Sequence, residues 1–271
     1  MNPISLTAFY TCGIRADDAQ SARPIVGDGF AARCMTPEGQ ALVDSLRDLR
    51  NPWRSVLARH RRIDECVRAA LDADPELLVV LLGAGFDSRA WRLGAGRWLE
   101  IDERALIDFK ETRLPQAQCS RPLTRIAVDF ARDRLIDILT PWRQADRCLV
   151  ILEGVLLYLD HTQVSQTAMA LRTLAPQVSV LYDQMSPTFV RRAGMRVHRR
   201  LQARGAPFRM QHLDIPAIWR DCGYRSVRHT SIPTAMAELG IAPLPRWLLA
   251  TPWFRWLREG YQIVEVESGG A

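Results

Sequence analysis

LLVVLLGAGFDSRAWRL, Leu77 to Leu93, decides the fold. It opens as a compact apolar run and passes without a spacer into a glycine-bearing turn. Leu77–Leu82 has the Val- and Leu-rich character of a strand buried on both faces, as in a parallel sheet. Gly83, Ala84, Gly85, Phe86 and Asp87 follow at once. Glycines let the chain turn sharply and bring backbone N–H groups against a ligand with no Cβ in the way. A GxG after a strand is a weak signal alone and suits a dinucleotide enzyme too. The dinucleotide fingerprint asks for a third glycine where this chain has Ser88.

Outward from this stretch, further short apolar runs mark strands at Trp98–Ile101, Leu123–Val128, Cys148–Leu152 and Val178–Tyr182. Tyr224–Thr230 and Tyr261–Val266 are two later candidates. Helix-like stretches such as Arg104–Arg113 and Thr162–Leu174 fit between them, so the spacing predicts an α/β fold with a parallel sheet. The first ~70 residues read as helices and loops broken at Pro24, Pro37 and Pro52. They divide the chain into a cap, 1–70, and a core, 71–271. Met185 to Cys222 is too long for one simple crossover. Within it Val190, Ala193, Val197 and Leu201 recur at helical spacing, with Arg191, Arg192, Arg199 and Arg200 off that stripe. The basic side reads equally as a solvated face or as part of a lid, 185–222, over a site at the sheet edge. Trp247, Trp253, Phe254 and Trp256 read first as core packing or a subunit contact and second as the lining of a substrate pocket.

Three further segments carry chemistry. In WLEID, Trp98 to Asp102, acids end the second strand, 19 positions after Gly83. A carboxylate there can accept both hydroxyls of a ribose, and Asp102 stands nearer the strand end than Glu100. Val128-Asp129-Phe130 closes the third strand. Asp129 reads either as an acceptor for an adenine amino group, with Phe130 over the ring, or as a helix N-cap. In LEGVLLYL, Leu152 to Leu159, Glu153 emerges from a buried run, and a buried carboxylate needs a cationic or donor partner. The ammonium of S-adenosylmethionine would supply one; a dinucleotide has no such group. Tyr158, five residues on, is placed to reach a substrate or to sit in the core.

Composition narrows the classes. Of 271 residues, 48% are hydrophobic and 24% charged, and the formal net charge is +6. The excess is arginine, Lys110 being the only lysine. No nucleic-acid-binding signature accompanies it, so no nucleic-acid partner is expected. No apolar run approaches the ~18 residues of a membrane span, and Met1 to Thr11, with no basic flank and no long apolar core, reads as a poor secretion signal. A cytoplasmic protein without a membrane partner is expected. The six cysteines are widely spaced with no CxxC, which argues against zinc and disulfides and for small buried hydrophobes.

With these segments in order, the chain resembles the leucine carboxyl methyltransferase family, which includes bacterial polyketide O-methyltransferases. LGAGFDSRAWRL, EID followed by Lys110, VDF and EGVLLYL match its motifs. Tyr182 to Leu201, RADDAQSAR (Arg15 to Arg23) and RHRRID (Arg59 to Asp64) resemble further elements, over residues 7–205. The resemblance implies a Rossmann-like class I methyltransferase. Its fold is a seven-stranded, mostly parallel sheet with an antiparallel last strand, an N-terminal helical cap and an inserted lid. Its cofactor is S-adenosylmethionine. Carried over, Gly83, Ala84, Gly85 and Asp87 border the methionine part and Asp102 holds the ribose. Asp129 and Phe130 take the adenine, and Glu153 takes the ammonium. Arg59 and Arg23 would hold the donor carboxylate, and Tyr158 would lie close to the acceptor oxygen.

After about residue 205 the chain departs from the family. PLPRWLLATPWFRWLREG stands where the members that methylate protein phosphatases have an acidic tail motif. The expected activity is therefore O-methylation of a small acceptor, carboxylate ahead of phenol. A carboxylate is already ionised at pH 7 and needs a clamp, for which Tyr158, Arg191, Arg192 and Arg196 are candidates. A phenol would want a base, and the five histidines all read as surface residues. The alternatives are a nicotinamide-dependent oxidoreductase, a protein C-terminal carboxyl methyltransferase and a non-catalytic donor-binding protein.

Overall fold

Alternate residues of the first strand feed opposite faces of one sheet. Leu78, Val80 and Leu82 join one hydrophobic cluster, Leu77, Val79 and Leu81 another. The fold is seen in a computed structural model describing residues 3–203, 205, 208–209 and 213–269, with residues 3–6 described by backbone alone.

Before the sheet come α1 (Pro3–Ala19), α2 (Pro37–Asp44) and α3 (Arg50–Ala73). Thr36 caps α2 by accepting the Gly39 N–H, with Pro37 pre-set for the first turn. Ile63, Val67 and Leu71 of α3 join the cluster beneath the first strand. The core continues as β1 (Leu78–Leu82), α4 (Arg89–Arg92), β2 (Arg97–Glu103), α5 (Arg104–Arg113) and β3 (Leu123–Val128). Next are α6 (Leu135–Leu139), β4 (Arg147–Leu152), α7 (His161–Leu171) and β5 (Gln177–Met185). A reciprocal capping box between Asp160 and Gln163 starts α7. All five residues of β1 are buried. Each such Val or Leu contributes about 1.5–3 kcal/mol relative to exposure.

After β5 the chain makes α8 (Pro187–Phe189), a π-helical turn (Val190–Gly194), α9 (Met195–Gln202) and α10 (Ile215–Asp221). It then forms β6 (Tyr224–Ser231), α11 (Ile232–Glu238), α12 (Arg246–Leu249), α13 (Arg255–Arg258) and β7 (Tyr261–Ser268). The sheet order is β3-β2-β1-β4-β5-β7-β6. The pairs from β3 through β5 are parallel, and β7 runs antiparallel to both β5 and β6. This is the expected seven-stranded sheet with a reversed last strand. Because β1 lies between β2 and β4, its two flanking connections diverge and leave a crevice at the carboxyl ends of the strands.

All seven strand candidates are strands. Several run longer than their apolar centres, β5 reaching Met185 through Asp183 and Gln184, which pair with Ile263 and Gln262. Hydrophobic runs mark only the buried middle of a ladder; polar ends keep the same backbone bonds. Val190 and Leu201 are buried, Val197 half-buried and Ala193 exposed, so the apolar stripe of that segment only partly faces inward. The segment leaves β5 at Ser186 and the chain enters β7 after Gly260, having added β6 at the sheet edge; the Ser186 N–H donates to the Gly260 carbonyl at 2.7 Å. Trp247 and Trp253 are 71% and 86% exposed, so neither is a core residue. No described helix is long and apolar enough to cross a membrane. All six cysteines are free thiols: Cys12, Cys34 and Cys148 are buried, the other three partly so.

Candidate active site

A cavity of about 1310 Å³ opens at the carboxyl ends of β1, β2 and β4. Single-ligand pockets measure roughly 300–1,000 Å³, so this one has room for two molecules. Its inner wall includes Gly83, Gly85, Asp102 and Glu153. Its outer wall includes Met195, Phe208, Phe254 and Trp256.

At the inner end, Gly83 has φ +70°, and a Cβ there would lie 2.5 Å from Val155. Only glycine fits both constraints. The Gly85 N–H donates to Asp102 Oδ2 at 2.6 Å, and the Glu103 N–H donates to Oδ1 at 2.7 Å. Burial raises the Asp102 pKa against the pull of these two donors. Each oxygen keeps a further lone pair. Glu100, two residues earlier, is not at the cavity. It lies sealed beneath β2, 2.8 Å from both Lys110 Nζ and Arg125 Nε.

Beside the turn lies a buried ion network. Glu153 accepts from Arg59 Nε at 3.0 Å and from Arg89 Nη2 at 2.8 Å, with His60 Nδ1 at 3.0 Å. Arg89 also reaches Asp87 and Asp64. Arg92 binds Asp64, Arg15 binds Asp28, and Arg59 binds Asp183. Burial opposes the charge on Glu153, but His60, Arg89 and Arg59 outweigh it and hold the carboxyl well below its ordinary range. His60 is buried, and burial with the nearby Arg89 lowers its pKa, so the ring is neutral. Arg92 Nη2 lies 2.8 Å from Nε2 and Arg89 Nη2 3.0 Å from Nδ1, so both ring nitrogens face a guanidinium, and Nδ1 faces Glu153 as well.

The buried side chains of this network include four guanidiniums (Arg15, Arg59, Arg89, Arg92) and five carboxylates (Asp28, Asp64, Asp87, Asp183, Glu153). The surplus is one negative charge, which the partly exposed Arg68 screens only from outside, 3.8 Å from Asp64. His60, Asp87 and Glu153 are spaced as a metal-ligand trio would be. Arg89 donates to both carboxylates of that trio, so a dication there would meet a guanidinium. Tyr158 lines the cavity, hydrogen-bonds with Thr7 of α1 and packs edge-on to Phe208 at 5.9 Å. Burial raises its pKa, so at neutral pH it is a donor and not a base.

Residues 8–172 match the family model for leucine carboxyl methyltransferase. The chain belongs to that family. The methyltransferase is 26% identical over 205 residues to the tetracenomycin polyketide synthesis O-methyltransferase of Streptomyces glaucescens, covering 74% of this chain and 73% of that protein. A protein of Parafrankia, named as a candidate S-adenosyl-L-methionine-dependent methyltransferase, is 30% identical over 179 residues, 60% of this chain and 57% of its own. A similarly named protein of Mycobacterium tuberculosis is 29% identical over 155 residues, 48% of each chain. The methyltransferase thus spans about half the length of these last two relatives. Among solved structures, a DUF574 family protein of Streptomyces avermitilis shares the fold with a TM-score of 0.61 at 11% identity, covering 97% of each chain. Magnesium protoporphyrin IX methyltransferase of Synechocystis, solved with S-adenosylhomocysteine, gives 0.50 at 17% identity over 80% of this chain and 86% of its own.

The methyltransferase is S-adenosylmethionine-dependent, and its inner cavity fits that cofactor. The net negative network suits a ligand carrying a sulfonium and an ammonium. Ser88, at the third-glycine position, is buried and gives its hydroxyl to Asp28 at 2.6 Å, so it offers no close backbone approach of the dinucleotide kind.

Gly83, Ala84, Gly85, Asp87, Asp102, Asp129, Phe130, Glu153, Arg59 and Tyr158 all line this one cavity. Arg23 does not: it is exposed in the turn after α1. Arg15, within α1, lines the cavity instead, donating to the Phe86 carbonyl at 2.7 Å. Glu153 was expected to need the donor's ammonium as its partner. The protein itself supplies cations from Arg59 and Arg89, because α3 and the turn after β1 converge there. Arg59 is likewise engaged, by Glu153, Asp183 and Tyr261. Asp129 and Phe130 stand at an exposed rim, and Asp129 also accepts the Ala131 N–H, a turn-capping contact. Arg192 and Arg196 line the cavity, whereas Arg191 points away to Thr188. His60 and His198 are buried, not surface residues; His161 and His229 are exposed, and His212 lies outside the described residues. Sequence reasoning missed Arg15, His60 and Arg89. Arg89 stood two places after Asp87 in the deciding stretch, but pairing across the fold gives no local pattern.

Proposed function

We propose that this methyltransferase moves the methyl group of S-adenosylmethionine to an oxygen of a small acceptor, a carboxylate ahead of a hydroxyl. The observation that carries this reading is the two-part lining of the cavity. The inner end is acidic. The outer end presents the exposed side chains of Arg192, Arg196 and Arg209 among apolar ones, with Arg196 in electrostatic reach of Asp48. The name of the Streptomyces glaucescens relative supports an oxygen acceptor.

The chemistry that bound S-adenosylmethionine supplies is a methyl group on a good leaving sulfur. The chain's own task is alignment and exclusion of water. Asp102 and the turn Gly83–Gly85 orient one ligand. Arg192, held over the Trp256 ring at 5.1 Å, and Arg196 orient an anion on the other. Tyr158 donates a hydrogen bond near the junction. A carboxylate acceptor needs no proton removed. His60 is committed to Glu153 and Arg92, and Tyr158 stays protonated, so neither serves a phenol as base. Phe254, Trp256 and Leu257 line the outer cavity with apolar surface, which suits a small acceptor.

The test is incubation with labelled donor and a panel of aromatic acids, phenols and peptide carboxylates. Base-labile label on an aromatic acid is the expected result. Base-stable label confined to phenols would overturn the carboxylate preference, and label on peptides alone the small acceptor.

A further inference from the structure

Asp183 is wholly buried on β5 and does not line the cavity, yet it touches three groups that do. Its Oδ1 accepts the Gly154 N–H at 2.6 Å. Its Oδ2 accepts from Arg59 Nη1 at 2.8 Å and from the Tyr261 hydroxyl at 3.1 Å. That hydroxyl in turn accepts from Arg59 Nη1 at 2.9 Å. Arg59 Nε then reaches Glu153. We propose that Asp183 is a positioning residue for the donor: it clamps Arg59 and the Glu153–Gly154 turn into one preformed corner that receives the donor's amino-acid end.

The local pairing of Arg59 gives Asp183 this part. Glu153 is shared by two buried guanidiniums, Arg59 and Arg89. Without Asp183, Arg59 would keep half a counter-charge in a water-poor site, and a buried unpaired charge is costly. Its guanidinium would turn toward Glu153 or the cavity. The Gly154 N–H would also lose its acceptor at a backbone angle, φ +73°, that the turn must hold. The two lie side by side: Arg59 Nη2 is 3.5 Å from where a Gly154 Cβ would stand, in van der Waals range. Tyr261, the first residue of the reversed strand, brings β7 into the same clamp and pairs with Met185 across it. The corner is thus assembled from α3, the β4 turn, β5 and β7. The Asp102 end of the cavity shares none of these bonds.

This rests on the donor reading of the inner cavity, and the test separates the two. Calorimetry compares S-adenosylhomocysteine, which has the amino-acid end, with 5′-methylthioadenosine, which lacks it. In Asp183→Asn the Kd for S-adenosylhomocysteine is expected to rise about tenfold or more, while that for methylthioadenosine stays within about twofold. Tyr261→Phe should act in the same direction, by about threefold, and decides the matter if Asp183→Asn does not fold. Equal weakening of both ligands, or of neither, overturns the positioning role. A wild-type protein that binds neither ligand instead overturns the donor reading itself.

Discussion

The carboxylate of Asp102 holds the backbone N–H of Gly85 at 2.6 Å, so the acid that ends β2 fastens the turn that ends β1. One side chain therefore shapes the glycine turn while lining the cavity, each oxygen keeping a lone pair. Asp102→Ala should weaken S-adenosylhomocysteine binding by about 1–3 kcal/mol while the circular dichroism spectrum stays that of wild type. Unchanged affinity by calorimetry would move the ribose contact to another residue.

Arg15 and Arg23 offer a direct contrast. Arg15 is buried at the cavity between Asp28 and the Phe86 carbonyl, and Arg23 is exposed away from it. Arg15→Ala should cost donor affinity and several degrees of melting temperature, and Arg23→Ala neither. The reverse pattern in paired titrations would restore Arg23 to the donor site.

Lys110 is sealed against Glu100, and Arg125 shares that carboxylate. Removing one member of a buried pair costs about 3–5 kcal/mol. Lys110→Met should accordingly lower the melting temperature by roughly 10 °C. Glu100→Gln combined with Lys110→Met should be less destabilised than the two single changes sum to. Strict additivity would mean the pair contributes no coupling.

The acids of the inner network set an acid limit on stability. For Asp28, burial works against ionisation, but Arg15 and Arg92 bring its pKa from 3.8 down to about 2. A folded-state pKa below the unfolded one contributes stability that is complete above about pH 4 and lost as pH falls toward 2. The Asp28 share is on the order of 2 kcal/mol. Melting temperatures measured from pH 6 to pH 2 should fall more steeply for wild type than for Asp28→Asn. Parallel curves would remove Asp28 from this account.

At the outer end, Arg192→Ala should raise the KM for an anionic acceptor about tenfold and leave donor affinity as it was. The difference from wild type should shrink as salt is added. A KM effect that is equal for neutral and anionic acceptors would assign Arg192 to shape and not to charge.

The sheet was legible because burial on two faces writes itself into short Val- and Leu-rich runs, as Leu77–Leu82 and Cys148–Leu152 show. The glycine turn and Asp102 were legible because both lie beside such runs, where strand ends must meet the crevice. The partners of Glu153 were not. Arg59 is 94 positions away and Arg89 is 64, and no local period records who neutralises whom. His60 illustrates the same limit: it sits among arginines on α3 that look solvated in sequence, and the fold turns its side of the helix inward. Arg192 and Arg196, four apart, share a helical face that Arg191 leaves, a split that helical spacing does announce.

The backbone contact between Ser186 and Gly260 places both feet of the outer wall side by side. Everything between them joins β5 to β7 in sequence and adds β6 at the sheet edge on the way. Such a segment is a natural unit of exchange. A chimera taking residues 187–259 from a relative would need to match that junction, the β7 ladder, the packing of Ile232, Ala235 and Met236 in the cluster shared with α3, and that of Ile215, Ile218 and Trp219 in the opposite cluster. Choice of acceptor would travel with the transplanted piece, while the donor's berth stayed with the host.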